Sequence, residues 1–318
     1  MKLIALVAVA SLLSTAAAAG PVETFAVPSK SKNADVVTPV ELFLPVGPGP
    51  FPAMVQIHGS GGPNKTVMQG RYAKGLNDMG VAVTISNSFI NRGITNSVEQ
   101  QSAVTHIEMM LDAYKTLEHL SKHPKIDPKR IGIFGFSKGG TVAYYTAFIE
   151  NADWLLPNGP RFALHVPFYP GCTNNSYYVK TTGAPILLLL GAQDTYTGTT
   201  ACLRLAEKIK ATNSLIETIV YPNGRHAWDT AWGDFNNPKG ENYVNCILDE
   251  KEDRSVVEIT SGIQTNAKGG QVIVRGMQAA MEKCRTRGVS GGPDDFTRDD
   301  SFRQLKSITA KTFGLTVK

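Results

Sequence analysis

The stretch "RIGIFGFSKGG", Arg130–Gly140, runs from an apolar segment into three glycines crowded around one serine. Arg130 to Phe134 has the length and composition of a buried strand, and the residues from Gly139 to Ile149 have a helical pattern, so Ser137 stands at a strand-to-helix corner. In G-x-S-x-G, here Gly135-Phe136-Ser137-Lys138-Gly139, such a corner holds the serine hydroxyl out at the end of a sheet. Glycine is required on either side because a β-carbon there would collide with the neighbouring strand or helix.

Working outward, apolar runs of strand length alternate with helix-length amphipathic stretches from about 52 to 221. That alternation predicts an α/β protein with a doubly wound, mostly parallel sheet. The expected strands are Ala53–His58, Val81–Ser86, Arg130–Phe134, Phe162–Tyr169, Pro185–Leu190 and Ile216–Tyr221. The expected helices are Gly70–Met79, Ser97–Lys122, Gly139–Ile149 and Thr199–Thr212. Val22–Leu44 alternates like antiparallel strands leading into the sheet. Beyond His226 a small hairpin excursion is expected, Val256–Ile259 with Val272–Arg275, then a short helix to Cys284, a loop at Gly288–Asp295 and a final amphipathic helix.

A serine hydroxyl needs a base to take its proton and a carboxylate to orient that base. On this architecture the partners follow in the order serine, acid, histidine. Asp194 follows the strand ending at Leu190, and His226 follows the strand ending at Tyr221, so both stand at the sheet edge that carries Ser137. Asp229 lies too close to His226 in the chain to support it from behind. Of six histidines, His106, His119 and His123 read as surface residues and His165 as a core residue. The negative oxygen of a tetrahedral intermediate requires two main-chain N–H groups. Lys138 supplies one, its side chain being of little consequence on this reading, and Gly59 or Ser60 in "QIHGSGG" supplies the other.

These residues resemble a known group. "HGSGG", "SFINRG", "HPKIDPKRIGIFGFSKGG", "FYPGC", "LLLLGAQDTYT" and "PNGRHAWD" together look like the dienelactone hydrolase family of the α/β-hydrolase superfamily, over Pro52 to Asp229. The resemblance implies an α/β-hydrolase fold and hydrolysis of small-molecule esters or lactones without cofactor or metal, by the triad Ser137, Asp194 and His226. The founding members use cysteine as nucleophile and are cytoplasmic, whereas this chain carries serine. Arg92 in "SFINRG" follows a strand and, with Arg225, is a candidate for binding a substrate carboxylate. Two other readings share the corner: a prolyl-oligopeptidase-like peptidase, for which no extra N-terminal domain fits before Pro52, and a noncatalytic binding protein on the same scaffold.

The N-terminus bears on location. Met1-Lys2, an apolar run from Leu3 to Leu13 and the small residues to Ala19 have the layout of a secretory signal peptide, residues 1–19, with residues 20–318 expected as one hydrolase domain. The apolar run is well short of the roughly 20 residues a membrane span needs. A secreted or periplasmic protein is therefore expected. In an oxidising compartment Cys172, Cys202, Cys246 and Cys284 predict two disulfides, and proximity in the chain favours Cys172 with Cys202 and Cys246 with Cys284. The second pair would staple the excursion at about 246–284. A formal charge of +5 with scattered basic residues offers no continuous face for nucleic acid.

Overall fold

The computed structural model describes residues 20–32, 34–253, 255–259, 262, 264–265 and 281–315. The expected signal peptide and the expected strand Val272–Arg275 lie outside the described residues. In chain order the strands are β1 (Val22–Ser31), β2 (Ala34–Phe43), β3 (Phe51–Ile57), β4 (Ala82–Ser86), β5 (Ile126–Phe136), β6 (His165–Phe168), β7 (Asn174–Asn175), β8 (Ile186–Gly191), β9 (Ile216–Tyr221), β10 (Phe235–Asn242), β11 (Leu248–Glu250), β12 (Val256–Glu258), β13 (Gln264–Thr265) and β14 (Thr286–Gly291). The helices are α1 (Lys74–Asn77), preceded by a π-helical segment Lys65–Ala73, then α2 (His106–Leu120), α3 (Lys138–Tyr145), α4 (Ile149–Leu155), α5 (Thr200–Lys210) and α6 (Asp295–Phe313).

The main sheet has eight strands in the order β1-β2-β4-β3-β5-β6-β8-β9. From β4 to β9 every pairing is parallel, while β1 and β2 join as an antiparallel hairpin on one edge. Successive strand residues serve opposite faces, as the pleat demands. Met54 and Phe134 pack with Tyr72, Leu76, Leu305 and Phe313, from the π segment, α1 and α6. Val55 and Ile133 pack with Met109, Ala113, Leu117 and Val142, from α2 and α3. Helices thus cover both faces, which is why these strands read as unbroken apolar runs.

Differences from expectation have local causes. Helix α2 begins at His106 rather than Ser97 because Thr105 caps it: its hydroxyl accepts from the Glu108 N–H while the Glu108 carboxylate accepts from the Thr105 N–H. The expected loop at Gly288–Asp295 is partly strand, since β14 pairs antiparallel with β10. The expected hairpin strand at 256–259 is β12, which pairs with β11 and β13. Residues 281–284 are helical, and α6 carries the expected apolar face through Leu305 and Phe313. Both favoured disulfides form, Cys172–Cys202 and Cys246–Cys284. Among the described residues no helix is long and apolar enough to cross a membrane.

Candidate active site

The corner after β5 is as tight as the sequence implies. Ser137 has φ 54° and ψ −117°, a conformation costly for any residue with a β-carbon. A β-carbon on Gly135 would lie 2.3 Å from the Gly139 carbonyl oxygen, and one on Gly139 would lie 2.3 Å from that of Ile57. Tyr169, after β6, and Ala227, beside His226, also have positive φ, so backbone strain gathers at this rim of the sheet.

Three loops meet there. Ser137 Oγ and His226 Nε2 are 2.9 Å apart, and His226 Nδ1 and Asp194 Oδ2 are 2.8 Å apart. An ionised carboxylate can only accept, so Nδ1 carries the proton and Nε2 presents its lone pair to the serine hydroxyl. Asp194 also accepts from the N–H groups of Tyr196 and Thr197 at 2.8 and 2.9 Å and from the Thr197 hydroxyl at 2.7 Å. Burial pushes the Asp194 carboxyl up, but His226 and the Thr197 bonds together outweigh it, and its pKa lies below the ordinary value. The imidazole is flanked by Tyr196 and Tyr169, with ring centroids 4.5 and 5.0 Å away.

Asp229 lies apart from this chain of bonds. Its buried carboxylate accepts from Tyr72 and Tyr169, so it fixes the second of those rings behind His226. Burial raises its pKa despite those two bonds.

Gly59 lies hard against the corner, since a β-carbon on it would lie 3.3 Å from Ser137 Cβ. His58, not singled out from the sequence, locks this loop. Its Nδ1 donates to the Gly59 carbonyl at 2.8 Å and its Nε2 accepts from the Ser88 N–H at 3.2 Å. Burial lowers its pKa to about 4, so it serves as a neutral strut. The signal was in "QIHGSGG": a histidine directly after a buried strand needs partners for both nitrogens.

Lys138 departs from the expectation that its side chain is unimportant. The residue is 3% exposed and its Nζ is enclosed by Gln101 and Ser97.

The two candidate substrate-binding arginines are placed elsewhere. Arg92 is 2% exposed in its side chain and pairs with buried Asp112 through both terminal nitrogens, at 2.9 and 3.0 Å. It also donates to the Ser88 and Lys30 carbonyls and the Ser29 hydroxyl, so no donor is left facing a substrate. Arg225 is engaged bidentately by Asp234 at 2.7 and 3.0 Å on the surface. Arg92 is thus committed to a buried ion pair rather than to a substrate carboxylate, and Arg225 rests on a carboxylate of this chain.

His165 is buried, as expected, with Nδ1 3.0 Å from the Ala143 carbonyl. His123, expected at the surface, is largely covered and bonds Glu23 at 3.0 Å. Among the described residues no group of three or more His, Cys, Asp or Glu stands together as a metal cage.

Residues 40–246 match the dienelactone hydrolase family, about two thirds of the chain. The chain belongs to that family. Over 130 residues it is 28% identical to esterase EstD of Thermotoga maritima, a match that takes in 38% of this chain and 30% of that enzyme. Among solved structures, the esterase Est2 of Thermogutta terrifontis superposes with a TM-score of 0.52 at 14% identity, over 64% of this chain and 85% of that one. A dienelactone hydrolase-like promiscuous phosphotriesterase from metagenomic libraries superposes with a TM-score of 0.55 at 12% identity, over 92% of this chain and 99% of that one. At these identities the superpositions speak to the fold.

Proposed function

We propose that this member of the dienelactone hydrolase family is an exported serine hydrolase that cleaves carboxylic esters or lactones through an acyl-enzyme. The observation that carries the reading is the unbroken chain Ser137–His226–Asp194, with links of 2.9 and 2.8 Å. Ser137 Oγ attacks the carbonyl carbon as its proton passes to His226 Nε2. The negative oxygen is held by the main-chain N–H of Lys138 and by one from the loop after β3. Ser60 is the better candidate there. The Gly59 carbonyl is drawn back by His58 and by the Gly62 N–H, and the N–H of the same planar peptide, which belongs to Ser60, points the opposite way. The intermediate collapses as His226 returns its proton to the leaving oxygen. Water, deprotonated by the same imidazole, then releases the acid and restores the serine.

Family membership and the esterase relative support ester cleavage over the peptidase and noncatalytic readings. Export would suit two disulfides, which persist in oxidising compartments.

The test is turnover of p-nitrophenyl acetate together with covalent labelling by a fluorophosphonate. The wild type should do both, and Ser137→Ala should lose at least about 10⁴-fold in kcat and all labelling while keeping its thermal melt. Wild-type turnover by Ser137→Ala would remove the mechanism.

A further inference from the structure

A lysine directly after a helix-starting serine would ordinarily trail into solvent. Here its Nζ lies 2.5 Å from the Gln101 carbonyl oxygen, 3.3 Å from Gln101 Oε1 and 3.3 Å from Ser97 Oγ. Gln101 in turn reaches three other places. Its Oε1 accepts from Ser60 Oγ at 2.8 Å, its Nε2 donates to Tyr196 Oη at 2.8 Å, and its N–H donates to Glu241 at 2.7 Å. Tyr196 is the ring nearest the His226 imidazole. One ammonium and one carboxamide therefore join the loop of Ser60, the helix start behind Ser137 and the wall of the catalytic base.

We propose that Lys138 and Gln101 act through their side chains as positioning residues for the oxyanion pocket, holding the Lys138 N–H and the Ser60 N–H at a fixed separation. The proposal rests on the hydrolase reading above. Main-chain donors speed acyl transfer only where they are aimed before charge develops, since reorienting them during reaction costs what they would contribute. A buried lysine amine is costly to accommodate, so its place beside the nucleophile, bonded to Gln101 and Ser97, points to a geometric task.

The groups facing Lys138 are Glu108 and His106 of α2, Glu241 of β10 and His58 after β3. Burial lowers its pKa to about 7, with Glu108 and Glu241 opposing. Protonated, Nζ has three hydrogens for its three acceptors; deprotonated, it has two and turns a lone pair on one of them. The pocket should therefore slacken as pH rises through about 7.

The test is kcat and KM on p-nitrophenyl acetate across the pH range around neutrality, for wild type, Lys138→Met and Gln101→Ala, with Ser137→Ala as the blank and thermal melts alongside. Both variants should lower kcat by roughly 10- to 100-fold with KM changed less than about threefold. The alkaline fall in wild-type kcat should vanish in Lys138→Met. Folded variants with wild-type kcat, or with a loss confined to KM, overturn the proposal. Should Lys138→Met fail to fold, Gln101→Ala, on a half-buried loop residue, decides by the same criteria. A wild-type chain that turns over no ester overturns the hydrolase reading, and this proposal with it.

Discussion

The parallel sheet and the β10–β14 ribbon are built by different means. All six residues of β8 are buried, as are the last six of β5, and helices press on both faces. The ribbon has short buried patches in polar strands, with a bulge between Asn237 and Glu241. What holds it is specific: the Cys246–Cys284 disulfide and the Glu241–Arg285 pair at 2.7 Å. Yet the ribbon touches the loops that carry His226 and Asp194 and the segment that carries Gln101. The Gly292 N–H, just beyond β14, donates to the His226 carbonyl at 3.0 Å, Asn242 donates to the Thr195 carbonyl at 3.1 Å, and Glu241 accepts from the Gln101 N–H. Apolar area makes the fold, whereas the alignment of its rim depends on a region that contributes little of that area.

If this division holds, damage on the two sides should show in different measurements. The largest effect on stability is expected on the sheet side, at Arg92. Its guanidinium ties α2, through Asp112, to β1 through Ser29 and Lys30, and it makes no bond to Ser137, His226 or Asp194. Arg92→Met would leave Asp112, which is wholly buried, without its counter-ion, a change that costs about 3–5 kcal/mol. Urea unfolding should show that loss while kcat per folded molecule, counted by fluorophosphonate titration, stays near wild type. A variant of normal stability but poor kcat would break the comparison and return Arg92 to the substrate.

On the ribbon side the expected effect is smaller and of the opposite kind. Cys246→Ser with Cys284→Ser opens a loop spanning 38 residues of sequence separation. Chain entropy alone would assign such a link about 3–4 kcal/mol, but only if the ribbon unfolds together with the sheet. A segment with so little buried apolar surface should instead open locally, below the global transition. The double variant should therefore keep most of its thermal melt and lose kcat by roughly 3- to 10-fold, with faster amide exchange at Glu241 and Asn242. An unchanged kcat would make the ribbon a passenger.

The same division explains what could be read from the sequence. Strand β8 is found within one residue of its expected bounds, at Ile186–Gly191, and Ser137, Asp194 and His226 stand just beyond strand ends, because a buried parallel strand writes itself as an apolar run. The glycines of the corner were legible because close approach excludes every other residue there. Strand β14, "TRGVSG", is polar and owes its form to its partner β10, so no period announces it. The burial of Lys138 was hidden for the same reason: it follows from the 97–103 loop and β10 closing over it, contacts distant in the chain. The late start of α2 was legible and missed, since Thr105-His106-Ile107-Glu108 is the pattern of a capping box.

The smallest effect is expected at Arg225, which adjoins His226 in sequence yet belongs to the surface. Its side chain is 37% exposed and that of Asp234 is 68% exposed, so water competes for the pair at every moment. Arg225 NH2 also donates to the Pro293 carbonyl, and a β-carbon on Gly292 would come within 3.1 Å of that nitrogen, so the guanidinium is packed against the chain leaving β14. Arg225→Ala should leave Tm within about 2 °C of wild type. It should also leave kcat/KM unchanged for a neutral ester and for one with a carboxylate in its acyl chain alike. The informative comparison is between those two substrates. A loss of about tenfold or more for the anionic ester alone would mean that the guanidinium exchanges Asp234 for substrate during turnover. The ribbon's edge would then belong to the binding surface as well as to the support behind His226.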